Sequence, residues 1–183
     1  LVGSKGRALP MTQSLLQRIS RKENPQIVLG AFEQRWVGFD HVDARNNETW
    51  VALDRVRDPG NLGTIMRSAD AVGASGLILI GDCTDPYSVE AVRASMGAVF
   101  NTKIIACSES VFLKFAASWQ GRIVGTALAA SIDYRKAAYK RPLIMLMGNE
   151  QSGLTDNLMR ACGQLIKLPM LGRSDSLNLA VAT

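Results

Sequence analysis

Polar side chains that could do chemistry cluster first in residues 58–70, where an apolar run gives way to a Pro-Gly pair. Asn61 follows that pair as a suitable helix N-cap, and Arg67 comes later on the predicted helix. An arginine carries a fork of donors suited to an oxyanion or a phosphate, and we expect it to project back over the preceding strand end. A capped helix with a solvated arginine is the plainer interpretation of this segment.

A second cluster lies in residues 147–154, where Gly148 and Gly153 flank the carboxylate of Glu150. Two glycines this close together predict a backbone that approaches a ligand, because neither carries a Cβ. The carboxylate can accept hydrogen bonds from a hydroxyl or an amine. A tight turn before a helix capped by Ser or Thr is the competing interpretation.

The third cluster, residues 166–182, combines an apolar strand end with a Gly/Ser loop. The strand is expected to stop at Pro169, and the following helix to carry Ser176 and Asn178 in its first turn. Free backbone N–H groups beside an apolar strand end suit a flat, weakly polar ring such as adenine. Strand–loop–helix junctions without function are also common, so this segment by itself leaves both interpretations open.

These clusters need a scaffold, and the sequence from Trp50 onward predicts one. Short apolar runs alternate with amphipathic stretches, the pattern of an α/β fold with a mostly parallel sheet of about six strands flanked by helices. Helical spacing of apolar residues predicts a helix over 62–72 that ends at Gly73. Ligands bind at the carboxyl ends of the strands in such sheets, so the three clusters should share one edge. The predicted strands are 50–56, 76–80, 102–106, 122–126, 143–147 and 164–168.

Composition limits the classes of protein to consider. The 183 residues, 47% of them hydrophobic, suffice for one ordinary domain, here residues 50–183. Residues 1–49 are polar with basic clusters and are interpreted as a linker or the remnant of a preceding domain. Lys and Arg total 21 against 16 Asp and Glu, and the formal charge of +5 favours polyanionic partners.

Cysteine and hydropathy patterns argue against metal and membrane classes. Cys83, Cys107 and Cys162 are widely spaced and only His41 could join them, so we expect reduced, buried thiols and no structural zinc. No apolar run approaches the roughly 20 residues of a membrane span, and no signal core follows the N-terminal charges. The sequence therefore predicts a cytoplasmic protein without a membrane partner.

Together, and in order, the three clusters resemble the signature motifs of the SpoU/TrmH family of RNA 2′-O-ribose methyltransferases in the SPOUT superfamily. The resemblance covers residues 50–183. It implies S-adenosylmethionine-dependent methylation of a ribose 2′-hydroxyl in tRNA or rRNA, a C-terminal deep trefoil knot, and a homodimer whose active site forms near the interface. The matching residues are Asn61, Gly63, Arg67 and Ala69, then Gly148, Glu150, Gly153 and Leu154, then Leu168, Pro169, Met170, Gly172, Ser176, Leu177 and Asn178.

Site residues follow from the resemblance position by position. The catalytic set is Arg67 with Asn61, Glu150, Ser176 and Asn178. The cofactor contacts are Thr126, Leu128, Gly148, Asn149, Glu150, Leu168, Met170, Leu177 and Asn178. Arginines in or beside the motifs are predicted to contact RNA phosphates, namely Arg55, Arg57, Arg67, Arg93 and Arg173.

The reaction needs no metal, because the sulfonium methyl is already electrophilic and the enzyme has mainly to align the ribose oxygen with it. The family's catalytic arginine is described as a base, but a guanidinium has no acceptor. We therefore interpret Arg67 as a donor that stabilises the developing alkoxide. The rival hypothesis is an RNA-binding module of the same fold that has lost catalysis, although the complete polar set argues against it.

Two departures from the family pattern generate expectations. The family continues for a further stretch of helix after the third motif, whereas this chain stops at Thr183, so we expect a truncated closing helix. Many members also carry a separate N-terminal RNA-binding domain, for which residues 1–49 are too short. Signatures of dinucleotide enzymes, phosphate-loop NTPases, zinc hydrolases and serine hydrolases are missing from the sequence.

Overall fold

The computed structural model describes residues 6–173 and 176–183. The chain divides into two compact units, Leu1–Gln34 and Arg35–Thr183. The described part of the first unit contains one helix, α1 (Gln13–Ser20), which buries no side chain. That residues 1–49 are a linker or the remnant of an RNA-binding domain stays a prediction. Throughout the described residues, no helix is both long and apolar enough to cross a bilayer.

The second unit begins upstream of residue 50, where the sequence places the start of the main domain. Val42 is buried, and Phe39 stacks on Phe115 with ring centroids 4.2 Å apart. Trp36 forms an isolated parallel bridge with Ile104. Apolar residues do not recur at a regular spacing in this stretch, so the sequence pattern does not predict that it packs against the sheet.

Strands and helices alternate along the second unit. In chain order they are β1 (Thr49–Asp54), α2 (Pro59–Ala71), β2 (Gly76–Ile80), α3 (Val89–Ala94), β3 (Lys103–Cys107), α4 (Glu109–Ser118), β4 (Arg122–Thr126), β5 (Ile132–Asp133), β6 (Leu143–Met147), α5 (Asp156–Ala161), β7 (Gln164–Lys167) and α6 (Leu179–Ala182).

All strand pairs in the sheet are parallel, and the strand order is β3-β2-β1-β6-β4-β7-β5. The predicted α/β class is confirmed, with seven strands where the sequence predicts about six. The extra strand, β5, has two residues and is too short to form an apolar run. β1 ends at Asp54 rather than at residue 56, because Arg55 takes a φ of 50°, which leaves the strand conformation. The trefoil knot remains a prediction.

The middles of the central strands are apolar because helices cover both faces of the sheet. Every residue of β2 is buried, as expected for a parallel strand packed on two sides. Alternate residues of β1 enter opposite cores: Leu53 packs with Leu62 and Ile65 of α2, and Trp50 packs with Phe112 of α4. The helices of both faces pack against the same strands, so their positions are fixed relative to one another. The positions of the loops that precede them are fixed in the same way.

All three cysteines are free thiols, as the sequence predicts, but each is half-buried rather than buried. Burial raises the pKa of the Cys107 thiol to about 11 and that of the Cys162 thiol to about 12. These thiols are therefore protonated at neutral pH. Within the described chain, no three His, Cys, Asp or Glu side chains converge on a point where they could hold a metal.

Helix α2 carries the first motif and packs closely on α3 at Gly63. A Cβ at this position would lie 2.4 Å from the carbonyl oxygen of Ala91 and 2.5 Å from the Cβ of Ala94. Both distances are shorter than van der Waals contact, and the first partner is backbone that cannot rotate away. The glycine therefore sets the distance between the two helices. At its end α2 stops before Gly73, whose φ of 71° confirms the predicted terminus.

We expect Gly63→Ala to lower the free energy of unfolding by about 1–3 kcal/mol, the usual effect of overpacking. The higher helix propensity of alanine would by itself raise the free energy of unfolding by about 0.5–1 kcal/mol. A lower free energy of unfolding would therefore show that the steric clash outweighs the helix propensity. Urea denaturation measures the change. Gly163→Ala is the matched control, because a Cβ there meets its nearest neighbour at 3.8 Å. A Gly63→Ala variant as stable as the parent would contradict this packing.

Candidate functional site

The first junction, between β1 and α2, is capped by a different residue from the one the sequence predicts. Asp58 is the N-cap of α2, accepting the N–H of Asn61 at 2.6 Å, and Pro59 occupies the first turn. The prediction that Asn61 caps the helix is therefore wrong. Aspartate satisfies the free amide, which leaves the Asn61 side chain available for another partner.

That partner is Asn178, whose Nδ2 donates to Oδ1 of Asn61 at 2.8 Å. The bond joins the first motif to the third across 117 residues of sequence. It confirms the prediction that the two asparagines share one edge of the sheet. Asn178 also caps α6, accepting the N–H of Ala180 at 2.9 Å, so it precedes the helix and does not lie in its first turn as predicted.

Arg67 lies on the exposed side of α2, opposite the apolar stripe that contains Leu62, Ile65 and Met66. Among the described residues it has neither an ion pair nor a hydrogen bond. Its guanidinium donors are thus free to meet a ligand.

The second junction is a compact loop held from inside by Asn149. Gly148 leaves no room for a side chain, because a Cβ would lie 2.5 Å from backbone atoms of Gly153 and Leu154. The N–H of Asn149 donates to the carbonyl of Gly153 at 3.2 Å, and the N–H of Gly153 donates back at 3.0 Å. The side-chain oxygen of Asn149 accepts the backbone N–H groups of Gln151 and Ser152, each at 3.0 Å. Asn149 therefore shapes the loop in addition to any contact with a cofactor.

Glu150 sits at the tip of this loop and is exposed. Among the described residues, its side chain accepts one hydrogen bond, donated by Nδ2 of Asn149 at 3.4 Å. The helix that follows, α5, is capped by Thr155, as the competing interpretation of this segment foresaw. A cap and a ligand site are compatible here, because Thr155 holds the helix while the loop before it leaves Glu150 exposed.

A cavity of about 160 Å³ opens between the ends of β4, β6 and β7. Eight of the nine predicted cofactor contacts line it, and so does Ser176 from the predicted catalytic set. Those eight are Thr126, Leu128, Gly148, Asn149, Glu150, Leu168, Met170 and Leu177. Asn178 does not line the cavity but caps α6, whose Leu179 and Ala182 do. Ser174 and Asp175 lie outside the described residues.

Several lining residues are missed by sequence reasoning. Ile166 and Lys167 end β7, and Ala127 follows β4. Their position at carboxyl ends of predicted strands is the signal that could have found them. Lys167 adds a cation to an otherwise largely apolar wall. Asn61 and Arg67 are absent from the lining, so the first motif faces the site from beside the cavity.

The predicted RNA-contact arginines divide into two groups. Arg57, Arg67, Arg93 and Arg173 are exposed, and Arg57 pairs with Asp82 at 2.6 Å on the surface. Arg55 is different, because its guanidinium turns inward to the buried carboxylate of Asp54. The four exposed side chains can be reached from solvent, whereas the guanidinium of Arg55 hydrogen-bonds inside the protein.

A larger cavity of about 540 Å³ lies at the other end of the sheet, beside Trp119, Arg122 and Pro142. It contains none of the motif residues. It borders the amino ends of β4 and β6, whereas ligands of open α/β sheets bind at the carboxyl ends. Position and chemistry therefore favour the smaller cavity as the functional site.

Comparison with known proteins places this site in a family. The model of the SpoU rRNA Methylase family matches residues 48–183. The chain is 33% identical over 181 residues to the 23S rRNA (uridine(2479)-2′-O)-methyltransferase of Streptomyces viridochromogenes, covering 95% of this chain and 63% of that protein. It is 34% identical over 134 residues to the 23S rRNA (guanosine-2′-O-)-methyltransferase RlmB of Vibrio parahaemolyticus, covering 73% of this chain and 54% of that one.

A solved structure agrees with this placement. The AdoMet-bound rRNA methyltransferase from Sinorhizobium meliloti superposes with a TM-score of 0.90 at 50% identity, over 93% of this chain and 66% of that chain. This chain thus spans less than two thirds of the length of each of these three proteins. The fold, the order of the motifs and their meeting at one edge of the sheet agree with the family match, and the chain belongs to the SpoU rRNA methylase family.

Proposed function

We propose that this chain transfers a methyl group from S-adenosylmethionine to a ribose 2′-hydroxyl of rRNA or tRNA. The observation that carries the proposal is the meeting of three distant motifs at one edge of the sheet. Asn178 bonds Asn61 directly, and the second and third motifs share the walls of one cavity. The names of the relatives, which are rRNA 2′-O-methyltransferases, support the reaction class.

The cavity suits the proposed cofactor by the chemistry of its walls. Leu128, Leu168 and Leu177 offer apolar surface for the adenine ring. Glu150 offers a carboxylate to hydroxyl or ammonium donors, and Lys167 a cation to a carboxylate. When bound, S-adenosylmethionine supplies an electrophilic methyl group. The protein's residues then have to bind it, exclude water and align the ribose oxygen.

Arg67 is proposed to act on the ribose oxygen. Its side chain is exposed and lies outside the cavity lining, and a guanidinium provides five donors and no acceptor. It can therefore stabilise negative charge on the oxygen as the proton leaves, and it can hold a neighbouring phosphate. Asn61, fixed by its bond from Asn178, lies on the same helix and limits the approach of the nucleotide.

Replacement of Arg67 separates chemistry from cofactor binding. We expect Arg67→Ala to leave S-adenosylmethionine affinity, measured by calorimetry, nearly unchanged while methyl transfer falls by roughly 10² or more. Arg67→Lys should recover little, because a point charge cannot reproduce two directed hydrogen bonds. Ser68→Ala, on the exposed side of the same helix, is the matched control. If Arg67→Ala abolishes cofactor binding and single-turnover transfer at saturating cofactor stays normal, Arg67 belongs to the cofactor pocket instead.

RNA binding is proposed to rest on the exposed arginines around the motifs. We expect the logarithm of affinity to fall linearly with the logarithm of salt concentration, because each neutralised phosphate releases counterions. Single Arg→Gln changes at Arg57, Arg93 or Arg173 should each reduce that slope by about 1. Arg45→Gln is the control, since Arg45 is exposed but precedes β1 at the opposite edge. A flat salt response would show that the charge excess serves only solubility.

A homodimer is proposed from exposed apolar side chains at the cavity and next to it along the chain. Leu128 and Leu177 line the cavity, while Leu171 and Val181 are sequence neighbours of lining residues. Leu128, Leu171, Leu177 and Val181 are all exposed, with Leu171 reaching 96% and Val181 71%. Large apolar side chains grouped in this way are typical of a binding surface. A second copy of the chain covering them would close the cavity against water, in line with the family expectation of an active site near the interface.

Light scattering at micromolar concentration should report a dimer, which we expect to bury more than roughly 1,000 Å². Leu171→Glu combined with Val181→Glu should shift the mass towards that of one chain, because two charges would be desolvated at the interface. Val72→Glu is the control: Val72 is 76% exposed but ends α2 at the far edge of the sheet. A monomeric parent protein would contradict the proposal.

The rival hypothesis, an RNA-binding module without catalysis, predicts no cofactor binding and is therefore decided by the same calorimetry. The exposed Arg67 and Glu150, together with the cavity, favour the enzyme. We propose a cytoplasmic location on the basis of this RNA substrate. Mapping 2′-O-methyl groups in rRNA and tRNA from cells lacking the protein would identify the modified nucleotide.

A further inference from the structure

A buried ion pair ends β1 directly under the second motif. The carboxylate of Asp54 is 1% exposed, and Nε and Nη2 of Arg55 donate to its two oxygens, each at 2.9 Å. The Arg55 side chain is itself 32% exposed, about half as much as that of Arg57 in its surface pair. A buried carboxylate needs such a partner, because an unpaired charge in the interior is strongly destabilising.

Arg55 also holds the 148–153 loop at two points. Its Nη2 donates to the carbonyl of Gly153 at 3.2 Å, and its own backbone carbonyl accepts from Nδ2 of Asn149 at 2.8 Å. The same Gly153 carbonyl accepts the N–H of Asn149, which closes the loop. One residue thus contacts both the start and the end of the segment that presents Glu150.

The backbone at Arg55 is in a conformation that an arginine rarely adopts. Its φ of 50° is left-handed, which costs a non-glycine residue free energy unless its surroundings hold it there. Room for the side chain comes from Gly81, where a Cβ would lie 3.1 Å from Cγ of Arg55. The N–H of Arg55 is also used, donating to the carbonyl of Ile80 at 2.9 Å.

We propose that Arg55 is a positioning residue that ties the end of β1 to the 148–153 loop and so fixes Glu150 at the cofactor cavity. It acts through the loop and not through an RNA phosphate, which replaces the role that the sequence assigns to it. The proposal rests on the proposed function only in taking S-adenosylmethionine as the occupant of the cavity. The geometry of the loop itself is independent of that occupant.

Arg55→Gln and Arg57→Gln form a matched pair, since both remove one arginine from the same short segment. We expect Arg55→Gln to weaken S-adenosylmethionine binding about tenfold in calorimetry, the effect of losing hydrogen bonds made by a charged group. The salt slope of RNA binding should stay unchanged in Arg55→Gln. Arg57→Gln should do the opposite, reducing the slope by about 1 and leaving cofactor affinity unchanged.

Arg55→Lys covers the case in which Arg55→Gln fails to fold. It keeps a cation against Asp54, so we expect near-parent thermal stability. A lysine ammonium is a single point charge, so it cannot hydrogen-bond both the Asp54 carboxylate and the Gly153 carbonyl in fixed directions. Cofactor affinity in Arg55→Lys should therefore lie between those of Arg55→Gln and the parent. Cofactor affinity equal to the parent's in folded Arg55→Lys and Arg55→Gln would overturn the proposal.

Hydrogen exchange of the free protein gives a readout that does not depend on the cofactor. The amides of Gln151, Ser152 and Gly153 should exchange faster in Arg55→Lys than in the parent, while amides of β1 and β2 keep their rates. Unchanged exchange in the loop would also overturn the proposal. If the parent protein binds no S-adenosylmethionine, the proposed function fails, and loop exchange alone decides the role of Arg55.

Discussion

Strands β1 and β6 pair in parallel, with Leu53 opposite Met147, although β2, β3, β4 and β5 lie between them in sequence. The rest of the site depends on this pairing. Because both strands end at the same level, the loop after β6 comes down beside Arg55 and the start of α2. If β6 did not pair with β1, the first two motifs would be farther apart by at least one strand spacing, about 5 Å.

The polar residues of the motifs divide into those that hold the site together and those left for ligands. The side chains of Asp58 and Thr155 accept backbone N–H groups of the helices that they cap, and that of Asn149 accepts N–H groups of its own loop. Arg67 and Glu150, by contrast, are exposed and make few or no contacts within the described chain. This division is what a preorganised site requires, because a ligand group is aligned best by donors whose own support is already rigid.

Along β1, the residues that pack in the cores are also separate from the charged residue at the strand end. The middle of β1 is buried in two cores, while its end carries the charge of Asp54. The cores fix the helices, and the glycine contact between α2 and α3 fixes their spacing. Some apolar side chains nevertheless stay exposed, among them Leu128 and Leu177 in the cavity lining and Leu171 and Val181 next to lining residues along the chain.

Local patterns in the sequence determined the strand and helix elements, since apolar runs and helical spacing record which residues face a core. They located β2, β4 and β6 to the residue and placed the end of α2 before Gly73. The resemblance to the family, carried over residue by residue, supplied eight of the cavity-lining residues. Only the tertiary structure decided that Asn61 leaves the helix cap to Asp58 and meets Asn178, and that Arg55 turns inward while Arg57 faces solvent. The bond of Asn61 with Asn178 and that of Arg55 with Gly153 join residues 117 and 98 positions apart, which the strand order brings together and no short window of sequence records.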